Sequence, residues 1–404
     1  MTPTGAAPLV LMLSAAHPPD DIRVVRKEGA ALAEAGWRVR HLAPGAAPAP
    51  TVAGVELETY ARRPGWLGRL LNVPALARRA ARSGAAVLHA SEPDAWVAAL
   101  LARQPGGPRV VIDVHEHYPS RLDGRLPRPL RLPARAALRL FCRLSGAAAD
   151  AVVVAKEGLA EDFAAPNRTV AVRNYALPAS VAPRRHGEGP LRLVHAGALG
   201  RSRGWPQMLD ALARCPRGTT LRLIGRFTDG SEAEFAARAA ALGLDARVER
   251  LPWMPHAEAL ARLSECDIGL VLFQPGEENH RLALPHKLFD CMLAGLPVIA
   301  PAFAEEVAAV VKEAGCGLLV DSADPSVIAA AVAALGEPAR RAAMGEAGRR
   351  AAAGRFGWAG EATRLVALYR ELAPTESRPI GNAACWARMP GAEQRMNAMA
   401  EQKA

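Results

Sequence analysis

Short apolar runs alternate with stretches of helical periodicity along this chain, and the pattern pauses once near the middle. Leu9–Leu13, Arg38–Leu42, Ala86–His89, Val110–Val114 and Asp150–Ala155 read as strands, and Ile22–Ala35 reads as a helix ending at Gly36. After residues 178–190, PASVAPRRHGEGP, the alternation restarts. Leu191–His195, Thr220–Ile224, Arg247–Leu251, Ile268–Phe273 and Pro297–Ala300 read as strands, with helices over Pro206–Cys215 and Ala257–Leu263. Strands separated by helices pair in parallel and are covered on both faces, so two doubly wound α/β domains are predicted, with ligand held at the carboxyl ends of the strands. The expected division is 1–180, a linker at 181–190, a second domain over 191–355, a terminal helix within 356–373 and a loosely ordered tail at 374–404.

Bulk properties narrow the class. A chain of 404 residues exceeds one ordinary core. Half of its residues are hydrophobic and 22% are charged, which is globular composition. Its six cysteines show no CxxC or Cys/His zinc spacing, as expected of reduced thiols in a cytoplasmic protein. The apolar LVLMLSAA near the start has no basic residue before it, so it reads as a first strand, not a signal peptide. No apolar run reaches the roughly 18 residues of a membrane span. The net charge of +10 is uneven. Arginines crowd 62–82 and 121–143, where Arg131, Arg135, Arg139 and Arg143 fall at helical spacing with Leu138, Phe141 and Leu144 on another face. Such a stripe is either a solvated face over a core stripe or a surface for anionic lipid or a phosphorylated ligand.

The segment ALPHKLFDCMLAGLPVIAP, residues 283–301, carries the most chemistry. Pro285 suits a first helical turn, Gly295 suits the stop, and Leu296–Ala300 suits a buried parallel strand. Lys287 and Asp290 share one face of the first turn. Free N–H groups and a cation suit phosphate, and a carboxylate suits a ribose diol. The second domain opens with LVHAGALGRSRGW, a strand running into a loop with Gly197, Gly200 and Gly204 around Arg201 and Arg203. Glycine admits a phosphate close to the backbone, and arginine grips it bidentately. The loop is neither GxGxxG nor a Walker loop, which disfavours nicotinamide and P-loop readings. Its bland alternative is an ordinary strand-to-helix turn with solvated arginines.

These motifs, in this order, resemble family 4 (group 1) glycosyltransferases over roughly residues 9–372. Gly197-Ala198-Leu199-Gly200-Arg201-Ser202-Arg203-Gly204 is similar to the family's G-x-L-x-x-x-K-G, and Leu288–Ile299 to its L-E-A-M-A-x-G-x-P-V-I. Asp21 and Arg23 match the D-x-R-V opening of one branch, and Asp113-Val114-His115-Glu116 its D-x-H-E. The chain departs from the pattern at Ala198 and Arg203, where arginine and lysine are usual. Leu282 stands where the first glutamate of E-x7-E commonly contacts the transferred sugar, and Asp290 replaces the second.

The resemblance implies the GT-B fold: two Rossmann-like domains facing across a cleft, with a C-terminal helix crossing back. It implies a nucleoside-diphosphate sugar as donor, transfer with retention, and no metal or other cofactor; the sequence holds no DxD motif. His115 is the expected catalytic residue, although by itself it also reads as a strand cap. Gly197, Arg203 and Lys287 are expected on donor phosphate and Asp290 on ribose. Trp253 and Met254 either flank the base or belong to the core. His115-Glu116-His117 lacks an evident third metal ligand. Asp21, Arg23, Trp66, Arg135 and Arg139 are assigned to an acceptor or membrane side. The acceptor is lipid-linked or soluble, and the expected location is the cytoplasm, with peripheral contact on the inner face of the membrane. Two other classes are a sugar-nucleotide 2-epimerase of the same fold and a basic nucleic-acid-binding protein. The D-x-R-V and P-x-K-L-F-D segments fit the first poorly, and only net charge supports the second.

Overall fold

A computed structural model describes residues 7–47, 49–63 and 65–374, without the Trp66 side chain. The first half of the chain contributes strands β1 (Leu9–Leu13), β2 (Arg38–Pro44), β3 (Thr51–Val52), β4 (Val55–Tyr60), β5 (Val87–Ala90), β6 (Arg109–Val114), β7 (Ala151–Val154) and β8 (Thr169–Ala171). They form one sheet in the order β3-β4-β2-β1-β5-β6-β7-β8, parallel throughout except for the β3–β4 pair. β5 and β7 are buried along their whole length; β7 is an unbroken apolar run, and β5 is apolar except for His89, which bonds the Tyr369 hydroxyl.

Helix α1 (Ala30–Glu34) follows a π-helical segment, Ile22–Gly29, and α2 (Gly65–Ala81), α3 (Pro93–Leu101) and α4 (Arg128–Ala148) come after. The helix read over Ile22–Ala35 therefore exists, but its first eight residues wind more widely. Asp21 caps that segment, accepting from the N–H groups of Arg23 at 2.8 Å and Val24 at 3.0 Å. Arg23, Lys27 and Glu28 are all buried there.

α2, α3 and α4 cover one face of the sheet. The core face of α4 differs from the sequence reading. Cys142, Ser145 and Gly146 are buried, whereas Leu144 is exposed. Small residues let α4 approach closely: a Cβ on Gly146 would stand 3.2 Å from the Phe163 side chain.

The second sheet is all parallel and has six strands: β9 (Arg192–Ala196), β10 (Thr220–Ile224), β11 (Val248–Leu251), β12 (Ile268–Leu270), β13 (Val298–Pro301) and β14 (Gly317–Val320). Their order is β11-β10-β9-β12-β13-β14, so the winding direction reverses between β9 and β12 and leaves a crevice at their carboxyl ends. Its helices are α5 (Trp205–Arg214), α6 (Glu232–Ala241), α7 (His256–Leu263), α8 (Glu278–Arg281), α9 (His286–Leu293), α10 (Glu305–Ala314), α11 (Pro325–Ala334) and α12 (Pro338–Ala353).

The last helix, α13 (Trp358–Leu372), returns to the first domain. Trp358, Leu365, Val366 and Tyr369 pack with Val10, Met12, Val87 and Val111 on the face that α2–α4 leave open. Trp37 Nε1 donates to the Ala373 carbonyl at 3.1 Å, and Glu361 accepts from the Arg173 N–H at 2.8 Å. The first sheet is thus complete only when the chain's end crosses back.

The ends of β9 and β10 touch backbone to backbone. A Cβ on Gly225, which has φ +145°, would lie 2.0 Å from the Gly197 carbonyl oxygen. Gly225→Ala is expected to cost at least about 2 kcal/mol through strain and clash, read as a lower urea midpoint with unchanged slope.

Candidate active site

The carboxyl edges of the two sheets meet. His117 donates its N–H to Asn279 Oδ1 at 2.7 Å, and Asn279 Nδ2 donates to the His117 carbonyl at 3.3 Å. Leu282 from the second domain is buried in the apolar cluster of the first, where a Cβ on Gly158 would lie 2.8 Å from it. The position at which the family pattern has a glutamate is therefore an apolar contact between domains.

On the second domain's side, β9 ends in the left-handed turn at Gly197 (φ +99°), which leaves room beside it for Lys287. Lys287 sits in the first turn of α9 and donates to His195 Nε2 at 2.8 Å. His195 Nδ1 lies 3.0 Å from the Leu270 carbonyl, so it carries the proton and leaves Nε2 free to accept. Burial, with the Arg203 charge adding to it, pushes the Lys287 ammonium down to about 7. Arg203 follows the glycine loop and lies 4.8 Å from the Phe273 ring centroid. Burial lowers its pKa too. Among the described residues no carboxylate pairs with Arg203 or Lys287. Gly204 closes the loop at φ +85°, where a Cβ would strike the Leu272 carbonyl at 2.3 Å.

Asp290 Oδ1 is 2.8 Å from His256 Nε2 at the start of α7. One carboxylate oxygen is thereby oriented, and the other is left for a ligand. Trp253 follows β11 and is 63% exposed, which removes it from the core, and the Arg226 guanidinium lies 5.6 Å from its ring. The structure therefore brings Gly197, Arg203 and Lys287 to one crevice and sets Asp290 on the same helix as Lys287.

On the first domain's side, His115 leaves the end of β6 and pairs with buried Asp113 through Nε2. Its Nδ1 is 3.2 Å from His17 Nε2. His17 Nδ1 in turn is 2.6 Å from Glu92 Oε1. Glu92 also accepts the N–H groups of Ala15, Ala16 and His17 at 2.8–2.9 Å, which fixes the loop after β1. Burial alone would lower the His17 pKa, but the Glu92 hydrogen bond and charge outweigh it and push it up to about 9. Burial would raise Glu92, yet His17 and the backbone donors bring it down to about 2. A charged His17 turns an Nε2 proton toward His115 Nδ1, and His115 Nε2 faces the Asp113 carboxylate.

Asp113 is the hub of this side. Arg23 reaches its Oδ1 at 3.0 Å and Glu28 at 2.8 Å, while His89 lies 3.2 Å from Glu28 and 2.6 Å from the Tyr369 hydroxyl. Glu28, His89 and Asp113 bring three ligand atoms within 4.8 Å of one another, but the Arg23 guanidinium already fills the cation position between the two carboxylates. His115, Glu116 and His117 do not converge on a metal either, because Glu116 pairs with Arg121 at 2.8 Å and His117 with Asp162 at 3.1 Å.

Arg23 corrects the sequence reading. At 5% exposure it is an internal counter-ion, not part of an acceptor or membrane surface, because two buried carboxylates need its charge. Asp21 is held as a helix cap. Arg135 and Arg139 lie on α4, paired with Asp123 and Asp162. Trp66 lies outside the described side chains. Sequence reasoning passed over His17, Glu92, His195 and Asn279. Each is an isolated polar residue whose partner lies at least 75 residues away, so local spacing carries no signal for it.

Residues 22–179 match a family model described as a glycosyl transferase 4-like domain, and residues 190–337 match one described as glycosyl transferases group 1. The chain belongs to the group 1 glycosyltransferases. No curated protein matches it. Among solved structures, sucrose-phosphate synthase from Thermosynechococcus elongatus is 20% identical with a TM-score of 0.73, covering 90% of this chain and 99% of that one. Anabaena HepE in complex with UDP and glucose is 17% identical with a TM-score of 0.70, covering 90% and 99%. WaaG, a glycosyltransferase involved in lipopolysaccharide biosynthesis, is 17% identical with a TM-score of 0.61, covering 91% and 100%. The glycosyltransferase thus has the GT-B fold, with the two sheets and returning helix described above.

Linkage gives the His17–Glu92 pair a sign. His17 is raised from 6.5 to about 9, so its contribution to stability is full below 6.5 and is lost as pH rises through 9. Glu92 is depressed from 4.5 to about 2, so its share is present above 4.5 and is lost as pH falls through 2. His17→Gln is expected to flatten the fall in urea midpoint between pH 6.5 and 9, measured beside the unaltered protein.

Proposed function

We propose that this glycosyltransferase moves a sugar from a UDP-sugar to an acceptor hydroxyl, with retention of anomeric configuration. The observation that carries the reading is the pairing of Arg203 and Lys287, two half-buried cations without an anionic partner among the described residues, at the crevice where the winding of the second sheet reverses. A diphosphate between them would relieve their repulsion and restore the full Lys287 charge. Structures of Anabaena HepE with UDP, UDP and glucose, or UDP-glucose support the choice of base.

In this mechanism the sugar–phosphate bond breaks toward an oxocarbenium-like centre. Arg203, Lys287 and the free N–H groups opening α9 hold the negative charge that develops on the leaving diphosphate, the role a metal would otherwise fill. Asp290, oriented by His256, takes ribose hydroxyls. Trp253 offers an exposed ring to the base. His115, held by Asp113 and His17, faces the reacting sugar from the first domain. The acceptor hydroxyl attacks on the face from which the diphosphate leaves.

Arg203→Ala and Lys287→Ala are each expected to lower kcat/KM for UDP-sugar turnover by about 100-fold or more, consistent with loss of a charged transition-state contact. Unchanged turnover in both variants would refute the donor site.

The acceptor side is proposed to lie against an anionic membrane. No described helix is long and apolar enough to cross one. However, α2 exposes Leu67, Leu70 and Leu71, and α4 exposes Leu130, Leu132, Leu140 and Leu144, with Leu132 at 75% and Leu144 at 62%. These leucines stand among the arginines of the same helices, on the outer side of one face of the first domain. Apolar side chains set among cations suit the interface of an anionic bilayer better than a solvated face. A cavity of about 430 Å³ at the far end of α2 is lined by Arg40, Arg78, Arg79 and Arg82 and by Glu58, which pairs with Arg40 and Arg79. The protein is expected to co-sediment with phosphatidylglycerol vesicles and not with phosphatidylcholine vesicles. Leu132→Asp/Leu144→Asp is expected to lower that binding about tenfold or more, as loss of two buried apolar anchors implies.

A further inference from the structure

Lys156 is a buried cation that neither the fold nor the donor site uses. It is the second residue after β7, and only 6% of its surface is exposed. No side chain or carbonyl among the described residues accepts a hydrogen bond from its ammonium. Among the described residues the other buried lysine, Lys27, meets Asn174 and Tyr175, and the half-buried Lys287 meets His195.

Its position is set by strand register. β6 and β7 pair with Asp113 opposite Val153 and Val114 opposite Val154. Continuing that register places Ala155 beside His115 and Lys156 beside Glu116. Two residues further on, Gly158 touches Leu282 of the second domain. Lys156 therefore stands at the carboxyl edge of the first sheet, one strand from His115, where the domains close on each other. The carboxylates whose charge reaches it are Glu116 and Glu306. Glu116 is committed to Arg121 at 2.8 Å. Glu306, at the start of α10, forms no ion pair among the described residues, and burial raises its pKa, which weakens it as a counter-ion. Burial likewise lowers Lys156, to about 8.

A lysine whose side chain is buried at the domain seam, and whose ammonium has no hydrogen-bond or ion-pair partner among the described residues, marks a place for a ligand's anion. The diphosphate has its own cations in the second domain. We infer that Lys156 is a specificity residue that binds a carboxylate or phosphate carried by the transferred sugar or by the acceptor, so that the enzyme selects an acidic sugar at one of these two places. This rests on the nucleotide-sugar reading above and adds a substrate class to it.

The test uses the full chain and isothermal titration. UDP measures the nucleotide site alone. UDP-glucose against UDP-glucuronate isolates a carboxylate on the donor sugar. With UDP saturating, glucose against glucuronate and glucose 6-phosphate isolates an anion on the acceptor. In the wild type, one of these comparisons is expected to favour the charged member by about tenfold or more, as a charge-assisted contact does. Lys156→Met is expected to bring that ratio close to one with UDP affinity unchanged, and Lys156→Arg to retain most of it. The inference is overturned by an absence of preference in every comparison, or by a preference that survives Lys156→Met. A fall in UDP affinity in Lys156→Met would assign the lysine to the leaving diphosphate and overturn it as well. Were Lys156 only the counter-ion of Glu306, Lys156→Met would lower the unfolding midpoint and leave every ratio unaltered. Failure of the wild type to bind UDP would instead refute the donor reading on which the inference stands.

Discussion

A negative charge buried at the end of β6 organises the first domain. Asp113 has no access to solvent, so its charge must be met by neighbours, and removing one partner of such a pair costs about 3–5 kcal/mol. Arg23 meets it from the π-helical segment, His115 from the cleft and His89 from β5. Glu28 joins through Arg23, and Tyr369 of the crossing helix joins through His89. One compensated charge thus couples the candidate catalytic histidine to the helix that closes the domain. The wider π turn brings Arg23, Lys27 and Glu28 inward together, which is the use a π segment commonly has near functional sites.

The second domain handles charge in the opposite way. Arg203 and Lys287 are gathered without a carboxylate partner among the described residues, and Lys156 adds a third cation from across the cleft. Internal networks that are satisfied stabilise a fold, whereas cations left without partners in a cleft mark where ligand charge is expected. Lys27 lies between the two regimes. It spans from the first domain to Asn174, Tyr175 and His286, so the entry to α9 is fixed by a residue of the opposite domain. Helix α9, which carries the candidate donor residues, is positioned by both domains, which is why its geometry is not a property of the second sheet alone.

The architecture was legible because parallel strands buried on both faces leave continuous apolar runs. Leu9–Leu13 and Thr220–Ile224 have the limits that their patterns predict, and the last helix, Trp358–Leu372, falls within the 356–373 expected for it. The half-exposed strand β4, whose inner and outer residues mix charge and valine, gives no such run. The stripe on α4 misled because helical spacing identifies a face but not which face is covered. Gly146 and Ser145 are core residues through closeness, not hydrophobicity.

Sequence alone determined the two α/β sheets, the phosphate-suited turn at Gly197–Gly204 and the helix carrying Lys287 and Asp290. These depend on contacts within a few residues, and local spacing records them. Only the tertiary structure decided that Arg23 is internal, that His17 and Glu92 stand behind His115, that Leu282 seals one domain against the other and that Lys156 lacks a partner among the described residues. Each of those facts depends on residues brought together from distant parts of the chain, where burial sets the cost of a charge and the fold alone selects its neighbours.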